Sequence, residues 1–248
     1  MDIPIIFPII WAIILPILVL SWYQLKEKQD LEAIEFKILA AENNLEYQED
    51  GKDYLSRLSC LDLLPGKPVQ ITNVVSRQHG AFRTRIFKAS HVIGSSKLRR
   101  IEYLVGVAVE FENIVLPRFE LEGTDSLGRY TAFDRMAKVK YDLLPDWLKD
   151  NCSLIYDRNS LSTDVIDLFQ DKEELLPFLD RSHFHLLVGN NKTIVYYCKG
   201  EIGLTLDFYY PMEDIGLTIA RLFDPSLNSS PKDAIPEEIK QLKENEKK

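Results

Sequence analysis

His183 and His185 stand two apart in an apolar run, so an extended strand points both imidazoles to one side. A hairpin turning over residues 189–192 sets Cys198 opposite His183 and Tyr196 opposite His185, and two imidazoles and a thiol on one face are zinc-type ligands. A stable zinc site asks for a fourth ligand or a bound water, with hydrogen bonds supporting them. None is identifiable, so no metal and no cofactor are expected. No Walker loop, dinucleotide glycine pattern, nucleophile elbow, Cys-x-x-Cys pair or His-Glu-x-x-His occurs. Gly94-Ser95-Ser96-Lys97 lacks the first glycine of a phosphate cradle and reads as a turn between strands.

The remaining chemistry is electrostatic. The 248 residues carry 30 Lys and Arg against 38 Asp and Glu, a net charge of -8. From Leu63 to Ile101 no acid occurs, while Lys67, Arg77, Arg83, Arg85, Lys88, Lys97, Arg99 and Arg100 are all basic. Lys97, Arg99 and Arg100 fall near a hairpin tip and are the candidate contact for a protein partner or for anionic lipid headgroups, where each cation contributes about 1 kcal/mol. Phe82 and Phe87 lie among the cations, but the acidic remainder of the chain argues against nucleic acid as the partner.

The elements that must position these residues begin with residues 3–23, which lack any charged side chain. As a helix they cover about 30 Å, the thickness of a bilayer's hydrocarbon core. The start Met1-Asp2 and the end Ser21-Trp22-Tyr23 do not resemble a cleaved signal peptide. Residues 1–24 therefore read as a single-pass transmembrane anchor. Trp22, Tyr23, Lys26 and Lys28 occupy its interfacial end, and the lysines predict that the bulk of the chain faces the cytoplasm. Cys60, Cys152 and Cys198, odd in number and widely spaced, fit reduced thiols there.

Leu31, Ile34, Ile38, Ala41 and Leu45 recur at three-and-four spacing and predict a helical stalk over 25–44 that ends near Asn43-Asn44. Its stripe is expected to dock on the domain's own sheet, with a short self-associating coil as the alternative. Alternation from Phe82 to Ile86 and from Ile101 to Glu112 predicts a hairpin pairing Phe82 with Phe111, Thr84 with Val109, Ile86 with Val107, Arg83 with Glu110 and His91 with Glu102. Short helices are expected to start at Ser162 and near Asp171, and a last helix at Pro211, stopping at Asp224-Pro225. The fold class is α+β: the transmembrane helix, then a largely antiparallel sheet domain with packed helices over 45–225, open to division into two lobes near residue 135. Residues 226–248 read as a mobile charged tail.

The single anchor, the hairpin with its Gly/Ser/basic tip, the box Leu116-Pro117-Arg118-Phe119-Glu120-Leu121 and the closing hairpin and helix resemble a group of uncharacterised bacterial membrane-anchored proteins. That resemblance implies a fold and a location and assigns no catalytic residue. The expected function is a membrane-tethered cytoplasmic interaction domain, non-enzymatic, acting in assembly of a membrane complex. The alternative is a ligand-binding module or enzyme with a cleft between two lobes, using His91, His183 or His185.

Overall fold

Strict apolar alternation along consecutive segments builds a sheet, and here it builds one large sheet. The structure, a computed structural model, describes residues 6–51, 54, 70–93, 100–123, 136–150, 152–179, 184–199 and 208–229. Helix α1 (Ile6–Glu42) leads into strand β1 (Glu46–Asp50). Then come β2 (Gln70–His79), β3 (Phe82–Ile93), β4 (Arg100–Phe111), β5 (Leu116–Gly123) and β6 (Met136–Lys138). After the short α2 (Asp146–Lys149) follow β7 (Cys152–Asp157), α3 (Ser162–Phe169) and α4 (Leu176–Leu179). Strands β8 (Phe184–Asn191) and β9 (Thr193–Lys199) and helix α5 (Tyr209–Phe223) close the described chain.

The nine strands run in the order β1-β2-β3-β4-β9-β8-β5-β7-β6, each pairing antiparallel. Strand β4 of the first hairpin pairs directly with β9 of the second, so the described strands of both halves form one sheet. The expected division into two lobes near residue 135 falls in residues 124–135, outside the described residues, and the described strands on either side of it share one sheet.

The first hairpin has the register that its apolar faces dictate, with Phe82 opposite Phe111, Thr84 opposite Val109, Ile86 opposite Val107 and His91 opposite Glu102. Arg83 stands opposite Glu110, but the ion pair forms on the diagonal, from Arg85. The second hairpin departs from expectation. Asn191 takes a left-handed φ of 55°, which Asn tolerates, and the chain turns within Asn191-Lys192 instead of across four residues. The tighter turn slips the register, so Leu187 faces Tyr196, and an irregularity between Phe184 and Leu186 brings Phe184, not His183, opposite Cys198.

Both faces of the sheet are apolar. One carries Ile86, Val107, Val109, Phe119 and Leu121 beneath α5, which contributes Ile215, Ile219 and Phe223. The other carries Phe87, Leu104, Ala108, Val188, Val195 and Tyr197. Two glycines are required by close approach: a Cβ on Gly189 would lie 2.1 Å from the Phe119 ring, and one on Gly106 would lie 2.6 Å from Phe87. Each ring covers the bare backbone of a strand.

Helix α1 joins the sheet by its C-terminal half. Glu32, Ala33, Phe36, Leu39 and Ala40 are buried. Leu31, Ile34 and Ile38 instead remain about half exposed, at 55%, 51% and 50%. The docked face is therefore the opposite of the one that spacing suggested. That face is apolar as well, and it carries a charge: Lys88 projects from mid-strand β3 onto the face that α1 covers, and Glu32 on the docked side meets it. Lys88 Nζ reaches both Glu32 oxygens at 2.8 and 2.7 Å with both side chains buried.

Removing one partner of a buried pair strands the other charge, so Lys88→Ala is expected to destabilise the chain by about 3–5 kcal/mol. Lys88→Met combined with Glu32→Leu should recover most of that loss, measured by thermal unfolding of the full chain in detergent. Equal stability of Lys88→Ala and the natural chain would contradict this account.

Candidate functional site

Strands β2 and β3 bring the basic run together, and the tertiary structure neutralises much of it. Arg77 Nη1 lies 2.7 Å from Glu213 of α5. Arg85 grips both oxygens of Glu110 on β4 at 2.7 and 3.0 Å, and its guanidinium stacks over Tyr54, with a hydrogen bond to the phenol oxygen. Arg83 approaches Glu46 of β1 at 3.5 Å, and Lys88 holds Glu32. A stretch without acids thus takes its counter-charges from α1, β1, β4 and α5. Of the tip residues, Lys97 and Arg99 lie outside the described residues, and Arg100 is described only as the residue opening β4 opposite Ile93.

Of the expected metal ligands, only Cys198 has a described side chain. His183 lies outside the described residues, and His185 is described only as part of β8. Cys198 is buried in the core beneath α5, with its sulfur 3.8 Å from Met212 Sδ. Among the described residues no group of three or more His, Cys, Asp or Glu could hold a metal ion. His91 sits on β3, in register with Glu102.

Strand β5 carries a feature that sequence reading did not single out. Arg118, Glu120 and Glu122 alternate with Phe119 and Leu121, which on an ordinary strand would make them the wet face. Here Glu120 and Glu122 are 1% and 0% exposed. Glu120 is flanked across the sheet by Ile155 of β7 and Val188 of β8, and Glu122 by Ser153 and Leu186. Neither Glu122 oxygen, nor Glu120 Oε1, has a hydrogen-bond partner among the described residues when both groups are ionised. Proton uptake by one of the two carboxyls provides a donor for one of these oxygens.

Burial, then the neighbouring carboxylate, pushes Glu120 up to about 8, against the pull of Arg118. Burial pushes Glu122 up to about 7, moderated by a hydrogen bond with Glu120 and by Lys138 on β6. The alternation of charge with apolar residues in Arg118–Glu122 was visible in sequence. What was not visible is that both faces of the sheet are covered at this strand. Paired carboxyls with raised proton affinity can exchange protons, but neither the groove beside Arg85 nor the cavity beside α1 is lined by them.

That second cavity, of about 220 Å³, lies where α1 meets the sheet. Asp30, Glu32, Glu49, Asn73, Lys88 and Tyr103 are among its lining residues. Asn73, at a left-handed φ of 54° in the bulge of β2, accepts a hydrogen bond from Tyr47 at 2.8 Å and fixes β1 against the bulge. Toward the N-terminus, Trp22 and Tyr23 are each 63% exposed, and Lys26 Nζ stands 5.7 Å from the Trp22 ring centre. Among the described residues no helix is long and apolar enough to cross a membrane. The segment expected to do so is only partly included, with helical backbone from Ile6 and side chains from Ile14.

No known protein family and no curated protein matches the chain. The fold is similar to the crystal structure of the mycobacterial trehalose monomycolate transport factor A, TtfA, with a TM-score of 0.52 and 10% identity over 77% of this chain and 93% of that one. At that identity the likeness is one of fold.

A carboxyl pair whose folded proton affinity exceeds the ordinary value of 4.5 binds more protons folded than unfolded between about pH 4.5 and 8. Its contribution to stability is full below that window and is lost as pH rises through it, by about 1.4 kcal/mol per pH unit for each proton released. Glu120→Gln supplies a donor at that position without titrating. It should melt higher than the natural chain at pH 8 and show a flatter melting profile between pH 5 and 8; parallel profiles would exclude the proton uptake.

Proposed function

We propose that this chain is a membrane-tethered interaction domain that binds a protein partner and serves the assembly or upkeep of a membrane-associated transport complex. One observation carries the reading. Helix α1 is continuous over 37 residues, and its described apolar side chains between Ile14 and Tyr23 are exposed on all sides while Phe36, Leu39 and Ala40 lie in the domain's core. A helix apolar all round is not sustained in water, whereas a bilayer satisfies it completely. Pro16 within it removes one backbone hydrogen bond, a loss that membrane helices tolerate.

Residues 3–23 are the span in this reading, Trp22 and Tyr23 meet the headgroups, and Lys26 and Lys28 keep the domain on the cytoplasmic side. Because the same helix docks on the sheet through a buried ion pair, the domain is held at a set height and rotation above the bilayer instead of swinging on a linker. That is a geometry for presenting a surface to a neighbouring membrane protein. The fold likeness to a transport factor agrees with such a role. Lys97, Arg99 and Arg100 remain the proposed contact with that partner or with anionic headgroups.

Fractionation of cells tests the tether: the full chain should sediment with membranes and resist alkaline extraction, and a chain lacking residues 1–24 should be released. Gentle detergent extraction should recover a stoichiometric companion. Replacing Lys97, Arg99 and Arg100 by Ala should leave the melting temperature unchanged and weaken companion or vesicle capture most at low salt; capture that is unaffected would remove the tip from the binding surface.

A further inference from the structure

The face of α1 turned away from the sheet is apolar too. Leu31, Ile34 and Ile38 are half exposed and Ala41 is exposed. Their spacing of three, four and three residues is that of a coiled-coil seam. At about 100° per residue, the centre of this stripe lies about 180° from that of Glu32, Ala33, Phe36, Leu39 and Ala40, which face the sheet. A second helix can therefore lie along the stripe without displacing the domain.

We propose that the stripe Leu31–Ala41 is a self-association seam that pairs two copies of this chain in parallel, with the two sheet domains on opposite outer sides. The parallel sense rests on the membrane reading above, since two copies inserted the same way present the same residues at the same height. Tethering also offsets the shortness of the seam. So few heptad positions would not hold two helices together in dilute solution, but confinement of both anchors raises their effective concentration.

Charge flanking the stripe agrees with a second copy. Lys37 lies on one flank and Glu35 and Glu42 on the other, and parallel pairing sets Lys37 of one chain against Glu42 of the other. Lys37 meanwhile pairs with Glu49 at 2.8 Å, the two side chains 52% and 64% exposed, and stands 5.7 Å from the Tyr47 ring centre. Such a surface bond is weak enough to exchange. Lipid is the poorer occupant, because the stripe begins eight residues beyond Tyr23, about 12 Å further along the helix. Toward the membrane the same frame meets Gln24 and Glu27, which limits the seam to the stalk.

The test uses the full chain in unfractionated cell lysate with single substitutions Ile34→Cys, Ile38→Cys or, on the sheet-facing side, Gln29→Cys, each oxidised briefly and compared with the unsubstituted chain. The expected result is a disulfide-linked species of twice the chain mass for Ile34→Cys and Ile38→Cys and no increase for Gln29→Cys. Adding Ile38→Glu to Ile34→Cys should cut the linked fraction about tenfold, since it places a charge in the seam. Equal linkage at all three positions, no linkage at Ile34 and Ile38, or linkage to a species of another mass overturns the proposal. Sedimentation of the same lysate separates the two readings: a sedimenting chain without linkage rejects the seam and keeps the tether, and a chain that does not sediment rejects the tether and, with it, the confinement on which the seam depends.

Discussion

The bond between Lys88 and Glu32 decides how the chain is put together. A lysine in the middle of a strand, on a face that a helix covers, cannot stay buried and charged without a carboxylate at hydrogen-bond distance. Glu32 meets that requirement from α1, and so sets which side of the helix touches the sheet. The same contact turns Leu31, Ile34 and Ile38 outward and places the apolar N-terminal run at a definite angle to the domain. Orientation of the domain, exposure of the stripe and the cavity of about 220 Å³ between helix and sheet all descend from it.

The second constraint is that the sheet is covered on both faces. Strand β4 alternates Val105, Val107 and Val109 with Leu104 and Ala108, and both sets are buried. Charged residues on such strands must find partners or take up protons. Arg85 does the first, with Glu110 and Tyr54. Glu120 and Glu122 lean to the second, since burial raises the proton affinity of both. The acid-free stretch from Leu63 to Ile101 follows the same logic: Arg77, Arg83, Arg85 and Lys88 are met by acids from distant parts of the chain, so the local charge run is largely an internal arrangement.

Local pattern made several elements legible. The first hairpin's register was readable because matching faces excludes every odd slip, and among the even ones the alignment of Phe82 with Phe111 also sets Arg83 opposite Glu110 and His91 opposite Glu102. The stop of α1 near Asn43-Asn44 and that of α5 at Asp224 follow from helix-ending residues. The second hairpin misled because Gly189-Asn190-Asn191-Lys192 offers more than one turn, and the two-residue loop with Asn191 left-handed shifts every partner, Cys198 included. The helix stripe misled because apolar spacing identifies a seam without saying what fills it. In the candidate site, the acids of Arg118–Glu122 were in plain view as an alternating strand, but the burial that raises their proton affinity comes from β7 and β8 and what lies over them.

Amino-acid order alone determined an α+β chain, with an uncharged N-terminal run, a hairpin of known register and no recognisable catalytic motif. These are short-range properties, set by side-chain period, turn chemistry and composition. Only the tertiary structure decided that both hairpins share one sheet, which face of α1 docks, and which charges are paired or raised in proton affinity. Each of these depends on residues far apart in sequence being desolvated together, as Glu32 and Lys88 are across 56 positions.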